Sequence, residues 1–208
     1  MSLHESQSLL IEMQVCRSRE FQVFVAPILR ETFGTTGPAW EADNLYRLGT
    51  QVQRSFIRVD ADEVTYPAHV ILRYRLEKAL LSGALALKDL PAAWDDGMKA
   101  LLGVVPPDDR QGCLQDIHWF DGAFGYFPTY TLGAMTAAQL FAAAKQADPA
   151  IVPGIQQGDF APLMAWLRAN VHGKASRFST AEIITQATSR PLDPAVFERH
   201  LRARYIDG

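Results

Sequence analysis

Between Gly112 and Gly133 the chain reads GCLQDIHWFDGAFGYFPTYTLG, which sets Gln115, Asp116, His118 and Trp119 beside Phe120, Phe124, Tyr126, Phe127 and Tyr130. The imidazole of His118 can act as a general acid or donate to a charged intermediate, and the phenol of Tyr126 or Tyr130 can do the same. Gln115 and Asp116 are residue types that hold neighbouring side chains in place. Gly122, Gly125 and Pro128 bend the backbone among these groups and favour close approach of a ligand. The alternative reading is a buried polar loop whose groups satisfy one another.

Two shorter clusters carry other chemistry. His4-Glu5-Ser6-Gln7-Ser8 opens the chain with an imidazole and a carboxylate, a pair that can bind a divalent metal. Its order nearly matches the His-Glu-x-x-His zinc motif, but Ser8 stands where the second histidine belongs, and a catalytic zinc takes three protein ligands. The plainer reading is a solvated helix start. Ile57 to Glu63 reads IRVDADE, where Arg58 can orient a substrate carboxylate through a two-pronged hydrogen bond. The alternative is a local salt-bridge cluster, which at a surface contributes little.

Composition narrows the setting. A net charge of -3 and a pI near 5.9 give no basic footprint, so nucleic acid is not an expected partner. Cys16 and Cys113 form no metal-type pair, and two cysteines in 208 residues point to buried thiols in a reducing, cytoplasmic compartment. His4 and Glu5 stand where a basic and then apolar leader would be, so no signal peptide is expected. Gly122 to Ala144 carries no charge and is long enough to cross a bilayer. Gly125, Pro128, Gly133 and Gln139 interrupt it, so it reads as a buried loop running into a buried helix, with no membrane partner.

These groups sit on a chain that reads as all-α, mainly helical, with a minor short β-element, in a single domain over 1–208. Ser6 to Glu31 is one long helical pattern that Pro27 should kink or restart, with Gly34 as its stop. A second helix is expected over Ala39 to Gln53, and a short strand over Ser55 to Val59, where β-branched and aromatic residues cluster. Pro67 can open the next helix at its first turn, and Gly83 stops it. Pro91 to Leu102 is closed by Gly103, and Val104 to Asp121 is irregular. An alanine-rich helix runs from Thr129 to about Ala147, and Ala161 to Val171 is helical. Ser179 with Glu182 makes a capping box, and Asp193-Pro194 caps the last helix.

Taken together, three motifs in this order resemble the M32 family of zinc carboxypeptidases, the Taq carboxypeptidase group. They are HESQ at His4 to Gln7, IRVDAD at Ile57 to Asp62, and GCLQDIHW at Gly112 to Trp119, with GYFPTY at Gly125 to Tyr130 in agreement. The resemblance covers nearly the whole chain but less than half of a full-length member. It implies an all-helical body with a cleft, often a homodimer, that releases C-terminal residues from peptides. It makes Glu5 a zinc ligand, and Arg58, with Gln115 and Asp116, a substrate-binding or supporting group. His118, with Tyr126 or Tyr130, would line the cleft.

The same resemblance implies that two zinc histidines and a general-base glutamate come from His-Glu-x-x-His on an upstream helix, and these 208 residues contain no such motif. His69, His172 and His200 are isolated. Ile11, Met13 and Cys16 stand where the family usually has Trp, Asn and Gly, and Phe120-Asp121-Gly122-Ala123 replaces its usual Ser-His-Gly-Ser. The implied isolated chain holds zinc poorly and is inactive, since loss of a general base alone removes at least ~100-fold of the rate. It is then a C-terminal portion awaiting an upstream chain, one half of a split enzyme, or a remnant kept for binding or oligomerisation.

Overall fold

The regular elements of the computed structural model, which describes residues 1–207, are all helical. They are α1 (Ser2–Leu9), a π-helical stretch (Leu10–Cys16), α2 (Arg19–Phe33), α3 (Ala42–Gly49), α4 (Tyr66–Leu81) and α5 (Leu90–Leu102). After a long loop come α6 (Pro128–Ala147), α7 (Ile151–Gln157), α8 (Ala161–Asn170), α9 (Thr180–Thr188) and α10 (Pro194–Tyr205). No described helix is long and apolar enough to cross a membrane.

The expected strand over Ser55–Val59 does not form, and no described residue lies in a strand. Ile57 is extended, but Arg58–Asp60 closes into a 3-10 turn. β-branched residues favour a strand only where a neighbouring strand offers a ladder, and an all-helical chain offers none. The N-terminal helix is also interrupted where the sequence did not suggest it. Ser18 is extended and its hydroxyl accepts from the Phe21 backbone N–H, so α2 starts there, while Pro27 lies inside α2 without ending it. Tertiary packing carries the helix through Pro27, since α2 lies against both α3 and α7. The second expected helix is shorter than its pattern: Pro38–Trp40 is a 3-10 turn and α3 ends at Gly49.

Two compact units divide the chain. The first, Val52–Thr131, packs α4 against α5. Gly97 lets them approach, since a Cβ there would lie 2.2 Å from Leu72 Cδ1. Leu72, Leu76, Leu90, Trp94, Met98 and Leu102 form its core. Pro67 opens α4 and Gly103, left-handed at φ 72, closes α5. The second unit takes Ser2–Gln51 with Leu132 onward. Its core joins Leu10 and Val15 to Leu140, Phe141, Ile151, Ile155, Leu163 and Ile183. There the Ser179–Glu182 capping box and the Asp193 cap form as the sequence reads. Gln139, buried in α6, donates to Thr188 Oγ1 and the Pro191 carbonyl and accepts from Asp193 N–H, which ties α6 to the α9–α10 connection.

Candidate functional site

Asp116 is the centre of the polar cluster in the first unit. Its Oδ1 accepts from Arg58 Nε and Nη2 at 2.9 and 2.7 Å, and its Oδ2 accepts from Arg73 Nε at 2.6 Å. Arg58 is delivered by the 3-10 turn before α4, Arg73 by the middle of α4, and Asp116 by the long loop before α6. Burial alone would raise the Asp116 carboxyl, but the charge of Arg73 and the hydrogen bond from Arg58 outweigh it and hold it below its ordinary range. Burial lowers Arg73 to about 10 against the pull of Asp116, which leaves it charged at neutral pH. Burial also opposes the charge on Arg58, yet Asp116 holds its pKa above the ordinary value. Two guanidiniums on one carboxylate leave one positive charge in excess among these three groups.

The local ion-pair reading of Arg58 with Asp60, Asp62 and Glu63 is replaced by this long-range pairing. Asp62 instead caps the turn into α4, accepting from the backbone N–H of Val64 and Thr65 at 2.9 Å each. Gln115 joins the two loops. Its Oε1 accepts from the Arg58 backbone N–H at 2.8 Å, while its Nε2 donates to the carbonyls of Phe56 and Gln111 at 3.0 and 2.8 Å.

His118 lies beside Asp116 but is not bonded to it: Nδ1 stands 3.9 Å from Asp116 Oδ1 and has no hydrogen-bond partner, while Nε2 meets the Tyr130 hydroxyl at 2.8 Å. The imidazole packs 4.4 Å from the Phe127 ring, with Tyr126 and Tyr130 at 5.8 Å. Burial, and then the charge of Arg58, lower its pKa, so the ring is neutral at pH 7. Tyr130 also carries Arg58 over its face at 4.9 Å, and the Tyr66 hydroxyl accepts from Arg58 Nη1. Of the five N–H groups of a guanidinium, Arg58 directs three to Asp116 and Tyr66 and keeps two. The chemistry available is an oriented cation, a neutral imidazole and a phenol in mutual contact.

Gly122 and Gly125 serve the loop's own turns. Both are left-handed, at φ 72 and 78, and neither Cβ position has a neighbour within 4 Å. The loop is held by Glu77, whose Oε2 accepts from Trp119 Nε1 at 2.8 Å and whose Oε1 accepts from the Gly125 N–H at 2.6 Å.

Of the residues singled out from sequence, Arg58, Gln115, Asp116, His118, Tyr126 and Tyr130 come together in this unit. Glu5 lies in the second unit on α1, against α6: a Cβ added at Gly133 would meet Glu5 Cβ at 3.0 Å. Sequence reasoning missed Tyr66, His69, Arg73 and Glu77. His69, Arg73 and Glu77 recur every four residues along α4, and all three are buried. That spacing, a polar stripe on one face of a helix between Val70, Leu72 and Leu76, was the available signal. Both His69 ring nitrogens lack a partner, and burial, with the charges of Arg73 and Arg58, lowers its pKa to about 4.

Solved structures share this fold and place it among the metallocarboxypeptidases. Trypanosoma cruzi metallocarboxypeptidase 1 matches at TM-score 0.93 with 42% identity, over 98% of this chain and 43% of its own. An M32 carboxypeptidase of Deinococcus radiodurans matches at TM-score 0.91 with 40% identity, over 99% of this chain and 42% of its own. The thermostable carboxypeptidase 1 of Thermus thermophilus is 40% identical over 205 residues, which is 99% of this chain and 40% of that protein. With residues 1–205 matching its description, the chain belongs to the carboxypeptidase Taq (M32) metallopeptidase family. It spans about two-fifths of the length of the relatives it matches.

A metallopeptidase needs a metal-binding set, and the donors here can be compared with that need. Among the described residues, no three His, Cys, Asp or Glu side chains come together as a metal site. Glu5 is half-buried and the adjacent His4 is exposed. The residues present do not fit a catalytic zinc, which takes three protein ligands.

Proposed function

We propose that this chain is the C-terminal portion of a zinc metallocarboxypeptidase, acting on peptides, and that the Asp116 cluster is the substrate-facing wall of its site. The observation that carries this reading is the pairing of Arg58 and Arg73 on one carboxylate, beside a neutral His118 bonded to Tyr130. A peptide's C-terminal carboxylate is an anion, and Arg58 and Arg73 share a single carboxylate, Asp116. Arg58 is the candidate for binding it, through a charge-assisted hydrogen bond from an N–H not already directed to Asp116 or Tyr66. Asp116 and Gln115 act behind it: the carboxylate fixes the guanidinium plane and the amide fixes the backbone beneath. His118 and Tyr130 form a hydrogen-bonding pair for the peptide group, and Tyr126 packs against both rings.

Glu5 is the candidate metal ligand of this chain. The further ligands and the general base would come from a segment bearing His-Glu-x-x-His, on the same or a separate polypeptide. We expect the 208 residues alone to be inactive, to work in the cytoplasm, where the free thiols of Cys16 and Cys113 suit a reducing compartment, and to pair as a homodimer. A second reading, a non-catalytic binding or oligomerisation module, is favoured by one feature, the large apolar side chains that the first unit leaves in solvent. The test is peptidase activity before and after supplying the segment with the zinc motif. Release of C-terminal residues only after its addition, abolished by Arg58→Ala, supports the carboxypeptidase reading. No activity with a stably bound segment favours the binding module.

A further inference from the structure

The first unit leaves its core open on one side. A groove of about 640 Å³ runs along Leu80, Leu85, Leu90, Cys113, Phe120 and Phe124. Leu90 and Cys113 belong at the same time to the buried core, so the groove is an extension of that core. Its rim is apolar and in solvent: Leu87 is 75% exposed and Phe120 71%. Contiguous apolar surface of this kind marks an interaction face, and one that continues a core resembles an obligate interface, a domain core cut in half. The loop that carries His118 toward Tyr130 presents Trp119, Phe120 and Phe124 to the groove, so whatever fills it also braces the candidate site.

We propose that this groove is the docking surface for the complementary part of the metallocarboxypeptidase fold, the remainder left after the 40–43% of each relative that this chain matches. The inference rests on the functional reading above and names where that partner binds. The relatives match this chain over 98–99% of its length, so the extra length lies outside what this chain supplies. A second copy is the poorer occupant. A two-fold interface uses one self-complementary patch, residue i on j and j on i, so it would have to supply both knob and groove from this one face, and the test below separates it from a complementary segment. The fitting partner is an apolar helix face standing out from its own fold.

The test co-expresses the 208-residue chain with the unmatched part of the Thermus thermophilus relative and measures co-purification and Kd. The variants are Phe120→Asp and Leu87→Glu, both at exposed positions, with Ile206→Asp of the second unit as control. The expected result is that each groove variant weakens binding about tenfold or more, as for a central interface anchor, and that the control changes nothing. Equal binding by all variants overturns the proposal. So does absence of binding by a complement that is itself folded, whether the chain stays single or self-associates through Phe120. A chimera in which this chain replaces the matched part of that relative covers the case of a complement that does not fold alone. There Phe120→Asp should lower the melting temperature of the chimera and leave the isolated chain unchanged, and an equal effect on both contradicts docking. Groove-dependent binding without peptidase activity sinks the functional reading alone. Activity restored with unaffected groove variants sinks the docking alone.

Discussion

Leu140 of the second unit and Arg73 of the first are sealed from water to the same degree, at 0% exposure each. Their surroundings differ. Leu140 sits among Leu10, Ala137, Ile151 and Leu163, where removing an apolar side chain from water stabilises the fold by about 1.5–3 kcal/mol. Arg73 sits against Asp116, His69 and the face of Trp94, where desolvating the charge costs several kcal/mol that pairing only partly offsets. The second unit's buried polar groups are uncharged: Ser6, Gln14, Thr136 and Gln139. The first unit's include Arg58, Glu63, His69, Arg73 and Glu77. One region is built for stability, and the other accepts unfavourable burial in return for groups held in fixed places.

That contrast is open to attack, beginning where the effect is greatest. Asp116→Ala strands two buried guanidiniums and should cost about 3–5 kcal/mol in urea unfolding. Leu140→Ala should cost a comparable 2–5 kcal/mol through its cavity, roughly. The two part in their dependence on charge: a second change, Arg73→Met, should recover part of the Asp116→Ala loss and none of the Leu140→Ala loss. Failure of that rescue would mean Asp116 is not holding the arginines.

The next effect is acid sensitivity. His69 has a folded pKa of about 4, below the ordinary 6.5, so the unfolded chain binds the proton first. Its contribution is fully retained above pH 6.5 and is lost progressively as pH falls from 6.5 to 4, a loss of about 3 kcal/mol in all. Unfolding of the wild type and His69→Gln at about pH 7.5 and about pH 4.5, on either side of most of that range, measures it. The variant should show the smaller drop between the two, and identical drops would contradict the assignment.

Smaller again is Glu77→Ala, which leaves the Trp119 indole N–H and the Gly125 N–H without their acceptor. It should destabilise by about 1–3 kcal/mol and change Trp119 fluorescence. Least is Tyr130→Phe, which removes one hydrogen bond to His118 and should cost about 1 kcal/mol in urea unfolding.

Much of this was legible in the sequence where local chemistry decides structure. Pro67, Gly103, Ser179 with Glu182 and Asp193 each act on the backbone within a turn of themselves, and each marks a helix end as read. The helix through Ala144 and the chemistry-bearing loop from Gly112 were legible for the same reason. What depended on distant partners was not. The β-branched and aromatic residues of Ser55 to Val59 looked like a strand until the fold gave them no neighbour. Arg58 looked paired with adjacent carboxylates, but its partner lies 58 residues on. Arg73 passed as part of a helical stripe because nothing nearby in sequence announces the carboxylate that neutralises it. α7 was missed because Pro153 and Gly154 disguise a short helix. Family motifs brought the candidate residues Arg58, Gln115, Asp116, His118, Tyr126 and Tyr130 into view, and the physical reason for their grouping, one carboxylate between two arginines, required the fold.

The proposed function stands or falls on whether this chain holds the substrate-facing wall of a carboxypeptidase site without its metal set. Metal content and carboxypeptidase activity, read on one purified sample with and without added zinc, decide it. The expected result is neither stoichiometric zinc nor release of C-terminal residues from the 208-residue chain. Stoichiometric zinc with zinc-dependent release would contradict the proposal and would mean that ligands within this chain complete the site.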